Sequence, residues 1–141
     1  MSYVRIVSKR AGCVRPQPGE KVLPVDRRNP VLGNKSVLEN HHDAAARERV
    51  IAEFGERLTR DLAVQGPMSR EIDVLAKLVA AGQALALECW CAEPKPDSRP
   101  CHAELIRTVI ADRLGRSMLP PGELPRGSVV PVEPAPQGSL F

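Results

Sequence analysis

Apolar positions along the chain follow two repeats. From Ala84 to Cys91 they alternate, with Leu85, Leu87, Cys89 and Cys91 on one face and Ala84, Ala86, Glu88 and Trp90 on the other, which predicts a β-strand. Both faces are largely apolar, so this strand belongs inside a parallel or mixed sheet covered by helices. Tyr3 to Val7 alternates in the same way, Tyr3, Arg5 and Val7 against Val4 and Ile6, and predicts an opening strand. Lys21 to Val25 reads as a second short strand. Pro24, which has no N–H to give a ladder, places it at a sheet edge or at its own end.

Helical spacing governs the remaining periodic segments. Asp43 stands as an N-cap before Val50, Ile51, Phe54, Leu58 and Leu62, a stripe that predicts a long helix to about Val64. Gly66 and Pro67 end it, Ser69 caps a second helix marked by Ile72, Leu75, Ala76 and Val79, and Gly82 stops that one. Pro94, Pro96 and Pro100 interrupt the central strand pattern. From Cys101, the residues Leu105, Ile106, Val109 and Ile110 predict a third helix running to Leu114 and closed by Gly115. The expected fold is a single compact α/β domain over residues 1–116, a mainly parallel sheet flanked by helices. Residues 117–141, rich in Pro and Gly and without periodicity, read as an extended tail. Its apolar residues, among them Leu119, Val129 and Phe141, give it the means to dock on its own domain, a second copy or a protein partner.

Composition narrows the class. A chain of 141 residues suits one domain with a real core, and the 43% hydrophobic fraction supports it, although 3% aromatic content leaves packing to Leu, Val, Ile and Ala. A net charge of +3 with no clustered basic face gives little support for nucleic acid as partner. No apolar run approaches the roughly 20 residues that span a bilayer, and MSYVRIVSKR lacks the apolar centre of a signal peptide, so no membrane is expected and a cytoplasmic location is. Thiols stay reduced there. The four cysteines are therefore candidates for buried thiols, metal ligands or a nucleophile before disulfides.

Three of those cysteines, the only tryptophan and His102 fall in the predicted strand, loop and first helical turn. In open α/β sheets ligands collect beyond the carboxyl ends of strands, beside helix amino termini whose N–H groups attract anions. Cys91, Cys101 and His102 fall there. Cys101 takes the N-cap place with Glu104 three residues on, a capping-box spacing in which a thiol replaces the hydroxyl. Partial positive charge at the helix start favours its thiolate, making Cys101 a candidate nucleophile and His102 a candidate proton carrier. In the run DRRNPVLGNKS, Gly33 permits close backbone approach, and Arg28, Gly33 and Asn34 with Arg47 are candidate contacts for an anion. Arg27 and Lys35 belong to the same basic turn, which also reads as plain exposed surface. A second chemistry for the cluster is zinc, for which Cys89, Cys91, Cys101 and His102 form a Cys₃His set, although C-x-C on an extended strand is awkward beside the usual two-residue knuckle. The same set also suits iron–sulfur chemistry. His41 and His42 read as surface residues at a helix entry, and Cys13 as a bystander in a loop.

The order Leu32-Gly33-Asn34, Arg47, Cys89-Trp90-Cys91-Ala92 and Cys101-His102 resembles the domain-of-unknown-function family 4326, small proteins common in bacteria and their phages. The likeness covers roughly Tyr3 to Leu114. This chain departs from the family pattern in carrying Lys35 where Pro is usual and in a longer loop between Cys91 and Cys101. What the resemblance implies is a compact α/β fold and no established activity. Two functions stay open: binding of a small anionic, nucleotide-like ligand at the Cys/His site, and a non-enzymatic interaction or assembly role, with a host factor or within a virion, in which the cluster is structural or holds zinc.

Overall fold

The computed structural model describes residues 2–8, 16–26, 28–33, 44–89 and 101–120. The elements run β1 (Val4–Ser8), β2 (Glu20–Pro24), α1 (Ala44–Ala63), α2 (Pro67–Ala80), β3 (Ala84–Cys89) and α3 (His102–Leu114). The three strands form one all-parallel sheet in the order β1-β3-β2, so the last strand in sequence is the central one. Its two ladders place Leu85 between Val4 and Lys21, and Leu87 between Ile6 and Leu23. All six β3 residues are buried, as a strand apolar on both faces requires. β2 is an edge strand and Pro24 its last residue, so the missing N–H costs no ladder bond there.

One sheet face carries Leu85, Leu87 and Cys89 into a core completed by Phe54 and Leu58 of α1, Leu75 and Val79 of α2 and Ile106 and Ile110 of α3. The other face is closed over the central strand by charge. Where β3 presents only Ala84 and Ala86, Arg5 of β1 and Glu20 of β2 meet in a bidentate ion pair, Nη2 to Oε1 at 2.7 Å and Nε to Oε2 at 2.9 Å. The Arg5 bonds hold the Glu20 carboxyl below its usual range. Small central residues are what allow two long edge side chains to meet.

The junction between α1 and α2 differs from its sequence reading. Ser69 lies inside the first turn of α2, and the cap comes from Asp61 of α1, whose carboxylate accepts from the N–H groups of Met68 at 3.1 Å and Ser69 at 2.7 Å. A Cβ at Gly66 would stand 2.5 Å from Asp61 Oδ2, so this cap depends on glycine at that position. Val64 falls past the end of α1 and is 76% exposed instead of closing its apolar stripe. Asp43, the expected N-cap of α1, lies outside the described residues, as do His41, His42, Cys13, Trp90 and residues 121–141. Among the described residues no helix is long and apolar enough to cross a membrane.

The core continues past residue 116. Gly115 ends α3 in the left-handed region, its N–H bonded to Ala111 O at 2.8 Å, and Arg116 reaches Ser2 through its main-chain oxygen and its Oγ. The chain then runs beside β1, where Val4 N–H donates to Met118 O at 2.7 Å and the Met118 side chain is 1% exposed. Met118, in the expected tail, thus packs with the domain's core, while Ser117 before it is exposed. Met118→Ala should cost about 2–5 kcal/mol, the range for truncating a buried methionine. Urea denaturation checks this, and an unchanged midpoint would return Met118 to the tail.

Candidate functional site

All three strands end at the same edge, and the segments leaving β2 and entering α3 meet there. Cys89 is the last residue of β3, on the face that carries Leu85 and Leu87. Cys101 precedes α3 as its N-cap and His102 opens the helix. The predicted capping box is present: Glu104 Oε2 accepts from Cys101 N–H at 3.0 Å, and Cys101 Sγ accepts from Ala103 N–H at 3.4 Å. That bond and the helix start both favour negative charge on the Cys101 sulfur. The same box occupies the helix terminus with its own thiol and carboxylate, so any anion at this edge must draw on arginine side chains.

His102 is held from both sides. Its Nε2 lies 2.7 Å from the main-chain oxygen of Val25, just past β2, and since a carbonyl only accepts, Nε2 carries the proton. Nδ1 then points at sulfur, 3.5 Å from Cys89 Sγ and 3.8 Å from Cys101 Sγ. Phe54 of α1 packs edge-on against the imidazole with ring centroids 4.8 Å apart. Cys89, Cys101 and His102 are each 1% exposed or less, so the cluster is enclosed rather than lying at an open mouth. Cys89, which the sequence places deeper in the strand, is the nearer of the two sulfurs to Nδ1.

The turn after β2 is a rigid neighbour. Asn29 Oδ1 accepts from the N–H groups of Val31 and Leu32, and Asn29 Nδ2 donates to Pro24 O. Gly33 N–H bonds to Asn29 O, and a Cβ on Gly33 would lie 2.3 Å from Asp26 O, so the close approach expected of this glycine is made by the turn's own backbone. Arg28 folds back on the turn, its Nε and Nη2 gripping Asp26 and its Nη2 also reaching Glu88 of β3. These bonds, Asp26 first, hold the guanidinium in its charged form, while its side chain remains 48% exposed. Burial pushes the Asp26 carboxyl up, but the side-chain and backbone bonds from Arg28 outweigh it and hold the group below 3.8.

Of the expected anion contacts, Arg28 and Gly33 sit in this turn, and Arg47 is buried on α1, about two turns before Phe54 on the same side. Asn34 and Cys91 lie outside the described residues, as do Arg27 and Lys35. Sequence reasoning missed the Val25 carbonyl, Phe54, and Arg57, which donates to Gly33 O at 2.8 Å and lies over the Phe54 ring. It also missed the Asp26–Arg28–Glu88 linkage. Glu88 carried a signal, since a carboxylate between Leu87 and Cys89 in a buried strand requires a cation. The Val25 carbonyl carried none.

Residues 6–112 match the family described as Domain of unknown function (DUF4326). No curated protein matches the chain, and no solved structure does.

The Asp26 pairing sets a pH dependence. Its carboxyl is depressed in the folded chain, so the stabilisation is present above the ordinary carboxylate pKa and is lost as pH falls through the folded value. Asp26→Asn should cost about 1 kcal/mol at pH 7, the scale of an ion pair with a half-exposed partner, and the gap from wild type should close as pH falls through the depressed folded value. Urea midpoints of both proteins across that range check it.

Proposed function

The chain belongs to the domain-of-unknown-function family DUF4326, whose description assigns no activity, and from its geometry we propose that it binds a small anionic, nucleotide-like ligand at the carboxyl edge of the sheet. The observation that carries this reading is the convergence of Cys89, Cys101 and His102 at that edge, where α/β sheets gather their ligands. Arg28, beside the turn, presents the half-exposed guanidinium available to an anion at this edge. Arg28 is already fixed by its carboxylate partners, so little further entropy is lost when its exposed edge meets an acceptor. Cys101 and His102 lie enclosed behind that edge, where they hold the start of α3 against the end of β2.

A panel of nucleoside monophosphates and small carboxylates, applied to the full metal-stripped chain, tests the reading by thermal shift and calorimetry. A binder at 100 times its Kd should stabilise the fold by about 2.7 kcal/mol, and Arg28→Lys should weaken it at least tenfold by removing the planar donor edge. If no member of the panel raises the melting temperature, the site takes no such anion, and the role passes to the alternative, a non-enzymatic partner-binding protein.

A further inference from the structure

We propose that Cys89, Cys101 and His102 bind a divalent zinc ion, through the two sulfurs and His102 Nδ1. This goes beyond the anion reading and does not depend on it. A tetrahedral zinc with sulfur at about 2.3 Å and nitrogen at about 2.0–2.1 Å sets S···N separations of about 3.6 Å and S···S of about 3.8 Å. Nδ1 lies 3.5 Å from one sulfur and 3.8 Å from the other, matching those separations, while the two sulfurs, within 4.8 Å of each other, close by up to about 1 Å on the ion through rotation of the thiols.

Three further observations favour a cation over plain packing. Nδ1 faces both sulfurs with its one lone pair, and an ion among the three engages that lone pair and both sulfurs together. Nε2–H is committed to the Val25 carbonyl, which fixes the tautomer that leaves Nδ1 unprotonated and is the outer bond that zinc-bound histidines characteristically make. Charge also balances. Binding releases one proton from each thiol, and the two thiolates with Zn²⁺ form a neutral unit, the form a site this deeply buried tolerates. The awkwardness of Cys89 and Cys91 as a pair on one strand does not arise for this donor set, in which Cys89 is joined by Cys101, the N-cap of α3.

The full chain, purified in zinc and then stripped, is titrated with Zn²⁺ and with Co²⁺. Expected are one metal per chain by native mass spectrometry, the visible bands of tetrahedral cobalt with a thiolate-to-cobalt charge-transfer band, and zinc protection of Cys89 and Cys101 from alkylation that a chelator reverses. Cys101→Ser is the informative variant: serine is a preferred N-cap, so α3 keeps its start while a ligand is lost, and zinc affinity should fall at least 100-fold with the metal-free melting temperature held. His102→Gln should lose the metal to the same degree. Substoichiometric zinc on the wild type, or undiminished affinity in Cys101→Ser, overturns the proposal. The anion panel is run on metal-free protein, so either reading can fail while the other stands.

Discussion

The carboxyl edge depends on the hydrogen bond from His102 Nε2–H to the Val25 carbonyl. It joins the end of edge strand β2 to the start of α3, segments far apart in sequence, at 2.7 Å and out of contact with water. Breaking it would leave a buried donor and a buried acceptor, each costing about 1–3 kcal/mol, which makes it a strong positional restraint. It also decides the chemistry. With the proton on Nε2, the basic nitrogen is the one that meets sulfur; the other tautomer would set a lone pair against a carbonyl.

That carbonyl is held in turn by the bonds around it. Val25 N–H donates to Glu88 O of β3, extending the ladder by one residue beyond Pro24. The following turn is fixed by the Asn29 side chain, by the absence of a side chain at Gly33 and by Arg57 from α1. Glu88 points to the opposite face from Cys89, so consecutive residues of β3 do separate jobs: Glu88 locks the turn through Arg28, and Cys89 enters the thiol cluster. Period-two geometry is what lets one strand end serve both sides.

Local patterns in the chain were legible wherever one element determined the outcome. The doubly buried β3, Pro24 at an edge, the Cys101–Glu104 capping box and Gly115 at the end of α3 each follow from spacing or from a residue's own backbone chemistry. What stayed hidden was tertiary. Asp61 caps a helix other than its own, Arg5 and Glu20 meet only because β3 inserts between their strands, and Met118 is buried by lying along β1. The site divides in the same way. Cys101 and His102 stood out because they open a helix, whereas the Val25 carbonyl is a main-chain group that any residue offers. Gly33 does make a close backbone approach, but to its own turn, a distinction that needs the coordinates of Asp26 O.

Placing the cluster where β2, β3 and α3 meet couples site and fold. Anything that binds Cys89, Cys101 and His102 in the native chain ties the central strand to α3, and through Val25 to the edge strand, so its binding free energy adds to the stability of the sheet. The converse also holds. Among the described residues β1 and β2 hold β3 in place, and a shift of β3 by one residue would carry Cys89 to the face of Glu88 and turn its thiol away from His102. The register is pinned from the other end by the Arg5–Glu20 pair over Ala84 and Ala86, which a one-residue slip would replace with Leu85 and Leu87 and so obstruct. The ion pair on one face thus guards the geometry of the thiols on the other, although the two share no atom.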